Sequence, residues 1–192
     1  MNPILRSVSL ATAVLALAAC GGQTTRPTPP PKPVGPKPVS MAQAGQVILA
    51  SASGSLVSGK LALRPMGDGV HFTGEIGGLA PNSSHAIHVH EKGDCSAADS
   101  SSAGGHFNPV GQPHGQVDHG PHHAGDMNNI VADAEGVAKV DVHASGVTLG
   151  GGAMNDVSGR AVIVHASADD YRSQPAGNAG ARLACGVIKI LR

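Results

Sequence analysis

Five short apolar runs, alternating with glycine-rich turns, constrain this chain most. They occupy residues 46–50, 59–63, 70–76, 138–142 and 161–165 and are built mainly from Val, Ile, Leu, Thr and Ala. No long stretch repeats with a 3.6-residue period, so the runs read as strands and not helices. Short strands at this spacing predict an all-β sandwich or barrel, with residues 41–192 long enough for one domain. The chain has no Trp, one Tyr and two Phe, so its core must rest on aliphatic side chains. The formal net charge is zero, which gives no basic face for nucleic acid.

Histidine is distributed very unevenly. Seven of the eleven fall within residues 88–126: His88, His90, His106, His114, His119, His122 and His123, with Asp126 close behind. Neutral imidazole is the commonest transition-metal ligand. His88-Val89-His90 ends a β-branched run, and side chains at i and i+2 of a strand share a face, so both rings can reach one ion. The residues that follow form a long, irregular, glycine-rich loop holding the remaining candidates. A histidine-rich surface loop that binds no specific ion is the alternative at this point.

The first forty residues have a different character. Arg6 precedes a short apolar run, which reads as a secretory leader over residues 1–19, too short for a comfortable membrane span. It ends Leu17-Ala18-Ala19-Cys20-Gly21, which resembles a bacterial lipobox. Cleavage before Cys20 and acylation of that residue are therefore expected, with the chain anchored to a membrane. Residues 20–40 then form a linker: seven of the fourteen prolines lie from Pro27 to Pro38. Such a segment favours extended polyproline II and reaches up to roughly 60 Å.

Several motifs in order resemble copper/zinc superoxide dismutase in its bacterial form. They are His88-Val89-His90-Glu91-Lys92-Gly93-Asp94-Cys95, Gly104-Gly105-His106-Phe107-Asn108-Pro109, Pro113-His114-Gly115 and His123-Ala124-Gly125-Asp126. Gly159-Arg160-Ala161-Val162-Ile163-Val164-His165 and Gly177-Asn178-Ala179-Gly180-Ala181-Arg182 continue the match. The resemblance spans about residues 46–191 and implies an eight-stranded Greek-key β-barrel with long metal-binding loops. It implies copper on His88, His90, His106 and His165, and zinc on His106, His114, His123 and Asp126, with His106 bridging. Asp169 would hydrogen-bond one histidine of each metal, Asp170 being the neighbouring alternative. His122 is the alternative to His123. Arg182 would hold the superoxide anion beside the copper.

Cys95 and Cys185 remain once Cys20 is assigned to lipid. An even pair in an exported protein predicts a disulfide. Closing a loop of about ninety residues would stabilise the fold by at most about 4–5 kcal/mol. The function implied is dismutation of superoxide to oxygen and hydrogen peroxide, at a bacterial envelope and facing the periplasm or the exterior. An envelope protein that binds copper and zinc without catalysis is the alternative. Monomer and homodimer both occur in the bacterial form. The loop between His165 and Arg182 contains no lysine, so superoxide steering falls to other residues, with Lys92 or Lys60 as candidates.

Overall fold

The computed structural model describes residues 39–191. The leader, Cys20 and the proline-rich linker lie outside the described residues. Ten strands follow one another: β1 Gly45–Ser51, β2 Ser58–Met66, β3 Gly69–Gly77, β4 Ser84–His85, β5 Ile87–His90, β6 Ile130–Val131, β7 Ala138–Ser145, β8 Ala161–His165, β9 Arg182–Val187 and β10 Lys189–Ile190. The five runs read from sequence are β1, β2, β3, β7 and β8. Helix is limited, among the described residues, to a single 3-10 turn at Ser101–Ala103.

All pairings in the ladders are antiparallel. The main sheet runs β5-β8-β9-β1-β2-β3-β7, and β10 pairs with the start of β1. β1, β2 and β3 form a meander. The chain then crosses to β5 on the far edge, returns to β7 beside β3, and crosses again to β8 beside β5. This is the all-β course that the strand pattern predicts and the Greek-key type that the resemblance implies. The outer edges β5 and β7 are joined by a smaller ladder: β4 pairs with β6, β4 runs directly into β5, and an Ala132–Ala138 bridge ties β6 to β7.

Alternation decides what lies inside. Val47 and Leu49 of β1, Leu61 and Leu63 of β2, Val70, Phe72 and Ile76 of β3, and Val140 and Val142 of β7 point into one core. Each such apolar side chain contributes about 1.5–3 kcal/mol on full burial. β8 departs from this rule, because all five of its residues are buried. Val162 and Val164 join the main core, whereas Ala161 and Ile163 pack on the opposite face with Ala103, Cys95 and Cys185. A loop therefore covers the outside of β8. The Cys95–Cys185 disulfide fixes it there, across a Cα–Cα distance of 5.8 Å.

Candidate metal centre

The site lies on that covered outer face. In β5, Ile87 and Val89 belong to the core, so His88 and His90 must point outwards. β5 pairs with β8 in the register His88–Ile163 and His90–Ala161. His165 has the parity of Ile163, and a register irregularity after Val164 places it opposite Arg182. The long loop returns to the same face. Val89 N–H donates to Gly125 O, Phe107 N–H to Val89 O, and Gly125 N–H to Phe107 O, each at 2.8 Å. Gly125 has to be glycine here, because a Cβ would collide with the Val89 carbonyl. These bonds carry His106, His123 and Asp126 to the edge of β5.

Two groups of four donors result. One contains His88, His90, His106 and His165; the other contains His106, His114, His123 and Asp126. All eight places are filled by buried residues, and in each group one ligand atom per residue lies within 4.8 Å of the others. His106 belongs to both.

The hydrogen bonds show which ring atoms are available. His88 Nε2 donates to Asp169 Oδ2 at 2.8 Å and His90 Nδ1 to Gly104 O at 2.9 Å. His88 Nδ1 and His106 Nε2 are buried with no partner, and the Nε2 atoms of His90 and His165 face one another at 3.4 Å. In the second group, Asp126 Oδ2 accepts backbone N–H bonds from Gly115 at 3.1 Å and His123 at 2.8 Å. Its Oδ1 lies 2.8 Å from His106 Nδ1 and 3.3 Å from His123 Nδ1. His114 Nδ1 is 3.0 Å from Oδ2 without the angle of a hydrogen bond. Unpartnered lone pairs aimed at one point are what a metal cation satisfies, so both groups fit one.

Proton affinities follow the same pattern. Burial, then the charge of neighbouring imidazoles, pushes His90 down to about 2 and His165 to about 3. Burial outweighs the Asp126 bond at His106 and lowers it to about 4. Burial also acts against His114, but the carboxylates of Asp126 and Asp169 beside it prevail and raise it to about 9. Asp126, although buried, is held far below the carboxylate range by His106, His114 and His123. His90, His106 and His165 are thus neutral imidazoles, and Asp126 is an ionised carboxylate.

A model of copper/zinc superoxide dismutase matches residues 57–188. The chain belongs to the copper/zinc superoxide dismutase family. It is 41% identical over 170 residues to Superoxide dismutase [Cu-Zn] 2 of Aquifex aeolicus, covering 80% of this chain and 99% of that protein. It is 43% identical over 126 residues to Superoxide dismutase [Cu-Zn] of Caulobacter vibrioides, covering 63% of this chain and 72% of that one. Among solved structures it resembles the clock protein EA4, with a TM-score of 0.69, 36% identity, and coverage of 80% of this chain and 98% of that chain. A double mutant of a SOD-like protein from Bacillus subtilis gives a TM-score of 0.67 at 36% identity, covering 74% and 95%. In this family the metals are copper and zinc, which matches the two donor groups.

Asp169 joins the two groups. Its Oδ2 accepts from His88 Nε2 and its Oδ1 from His114 Nε2 at 2.9 Å, while Asp170 turns away to Ser173 and Asn178. Of the neighbouring histidines, His123 faces Asp126, whereas His122 bonds to the His123 carbonyl and Ser145. His119 is exposed. His85 holds the His165 carbonyl at 2.8 Å.

Arg182 sits in a cleft of about 510 Å³ lined also by His90, His106, His165 and Asn178. Its guanidinium donates to Ser100 O and Gly104 O, both at 2.7 Å. One carbonyl, that of Gly104, thereby holds both Arg182 and His90.

Sequence reasoning missed the scaffold behind these residues. The Gln174 side-chain amide accepts from His114 N–H and donates to His114 O, each at 2.9 Å. Asn129 makes the same two-way bond with the Asp169 backbone, and its own N–H donates to the Tyr171 hydroxyl. No local pattern marks such residues, because their partners lie 40 and 60 positions away.

Proposed function

We propose that the chain dismutes superoxide: two superoxide anions and two protons yield one O2 and one H2O2. One observation carries this reading. A buried all-nitrogen donor group opens on a cleft containing a cation, and it shares one imidazole with a second group that includes a carboxylate. Four nitrogens suit Cu(II), whereas three nitrogens and a carboxylate in a closed set suit Zn(II). Copper is thus assigned to His88, His90, His106 and His165, and zinc to His106, His114, His123 and Asp126. Bound copper supplies one-electron exchange with the substrate, and zinc supplies a fixed charge without redox change.

The protein's own groups provide the rest. Arg182 binds the anion, and its two carbonyl partners orient it before the anion arrives. His106 Nε2 takes up a proton and passes it to the reduced oxygen, while Nδ1 stays on the Asp126 side. Asp169 fixes the His88 and His114 rings, so neither turns when His106 moves. Metal analysis with superoxide-dependent activity on the purified chain tests this. Activity proportional to bound copper is expected. Both metals loaded without activity would favour the envelope metal-binding alternative.

The chain is further proposed to be a lipoprotein of the bacterial envelope, facing periplasm or exterior, held by acylated Cys20 and spaced from the membrane by residues 21–40. The lipobox-like ending and the run of prolines support this. Cys20→Ala should move the protein to the soluble fraction with activity unchanged. Monomer and homodimer are both compatible with the reading, and sedimentation equilibrium decides between them.

A further inference from the structure

Two histidines have no part in the centre described above. His71 on β3 and His143 on β7 stand directly opposite each other in the ladder. Their neighbours Val70, Phe72, Val142 and Ala144 are core residues, so both rings project from the outer face of the barrel. The ring centroids are 6.1 Å apart. His71 Nε2 is 2.6 Å from Asp141 Oδ1, and His143 Nε2 is 3.0 Å from Asp68 Oδ1.

The carboxylates settle the tautomers. A carboxylate only accepts, so the proton of each neutral ring sits on the Nε2 that faces it, and at His143 it makes a hydrogen bond to Asp68. In the neutral ring the lone pair is then on Nδ1. Both Nδ1 atoms are shielded and have no hydrogen-bond partner. An imidazole held at one nitrogen by a carboxylate, with the other nitrogen free, is the arrangement of metal-bound histidine. His88 on Asp169 follows the same plan in the main centre.

We propose that His71 and His143 form a third metal site, outside the catalytic centre, for a borderline divalent transition cation. The two Nδ1 atoms are the protein donors, Asp141 and Asp68 orient the rings, and water completes the coordination. With two imidazoles in place of four ligands it binds more weakly than either buried group. Its preference follows the order Cu(II), then Ni(II), then Zn(II) for a nitrogen site.

The test uses the full chain already loaded with copper and zinc. It is dialysed against Cu2+ alone and analysed for metal content and by electron paramagnetic resonance. One additional copper per chain is expected. His71→Ala or His143→Ala should remove it, and Asp141→Asn should weaken it about tenfold. Superoxide activity should be equal in all of them, so the result stands apart from the catalytic reading. If an alanine variant loses its buried metals through misfolding, His71→Gln and His143→Gln answer the same question. The absence of a third equivalent in the unaltered chain would overturn the proposal. So would an additional copper that persists when His71 and His143 are both replaced, whether held by His119 or elsewhere.

Discussion

The two donor groups share His106 yet are built differently. His88, His90 and His165 come from paired strands, β5 and β8, whose inner faces are locked into the core. The second group comes from one loop, residues 106–126, attached to β5 by two backbone hydrogen bonds at Val89. Strand donors inherit their positions from the barrel. Loop donors depend on a network of side chains: Asp126 on the backbone of Gly115 and His123, Gln174 on His114, Asp169 on both groups. The first group is all imidazole and opens on the cleft, whereas the second includes a carboxylate. The contrast predicts that the loop group can be emptied while the strand group survives.

Replacing the loop carboxylate is the strongest way to break that contrast. Asp126→Ala should abolish zinc retention through dialysis while the strand histidines keep copper. Zinc at full occupancy in the variant would take Asp126 out of the ligand set. Loss of both metals together would show that the groups are one unit.

Opening the Cys95–Cys185 bond acts on the cover over β8. Reduction should lower stability by up to about 4–5 kcal/mol, since the bond closes a loop with a sequence separation of 90 residues. Denaturant midpoints with and without reductant measure this. An unchanged midpoint with both thiols titrated free would count against it.

Arg182→Ile tests the cleft side alone. A unit charge about 5 Å from the anion contributes roughly 3 kcal/mol at an effective dielectric near 20, so activity should fall by up to about a hundredfold. Copper and zinc should both remain. Arg182→Lys should recover part of the activity, because one ammonium cannot satisfy the Ser100 and Gly104 carbonyls and the anion with a planar fork. Equal activity per bound copper in all three proteins would exclude Arg182 from anion binding.

The smallest effect is expected at the link between the groups. Asp169→Asn should weaken zinc binding by about tenfold or somewhat more, acting through the His114 ring, with copper affected through His88. Competition with a zinc chelator reads the first, and the copper resonance spectrum the second. A change in one metal alone would show that Asp169 supports only that group.

Much of this protein was determined locally. The short β-branched runs could only be strands, and alternation alone sends His88 and His90 to the face opposite Ile87 and Val89. Residue chemistry likewise restricts the donors to imidazole and one carboxylate. What alternation cannot supply is the partner of each face, since that depends on strand pairing across long sequence separations. Pairing of β5 with β8 brings His165 to His90, 75 residues away. The bulge after Val164 sets His165 opposite Arg182, and loop packing distinguishes Asp169 from Asp170 and His123 from His122. In each of those pairs the two residues are chemically identical neighbours. Only the direction in which the folded backbone points each side chain separates them, and that direction is fixed by contacts made far along the chain.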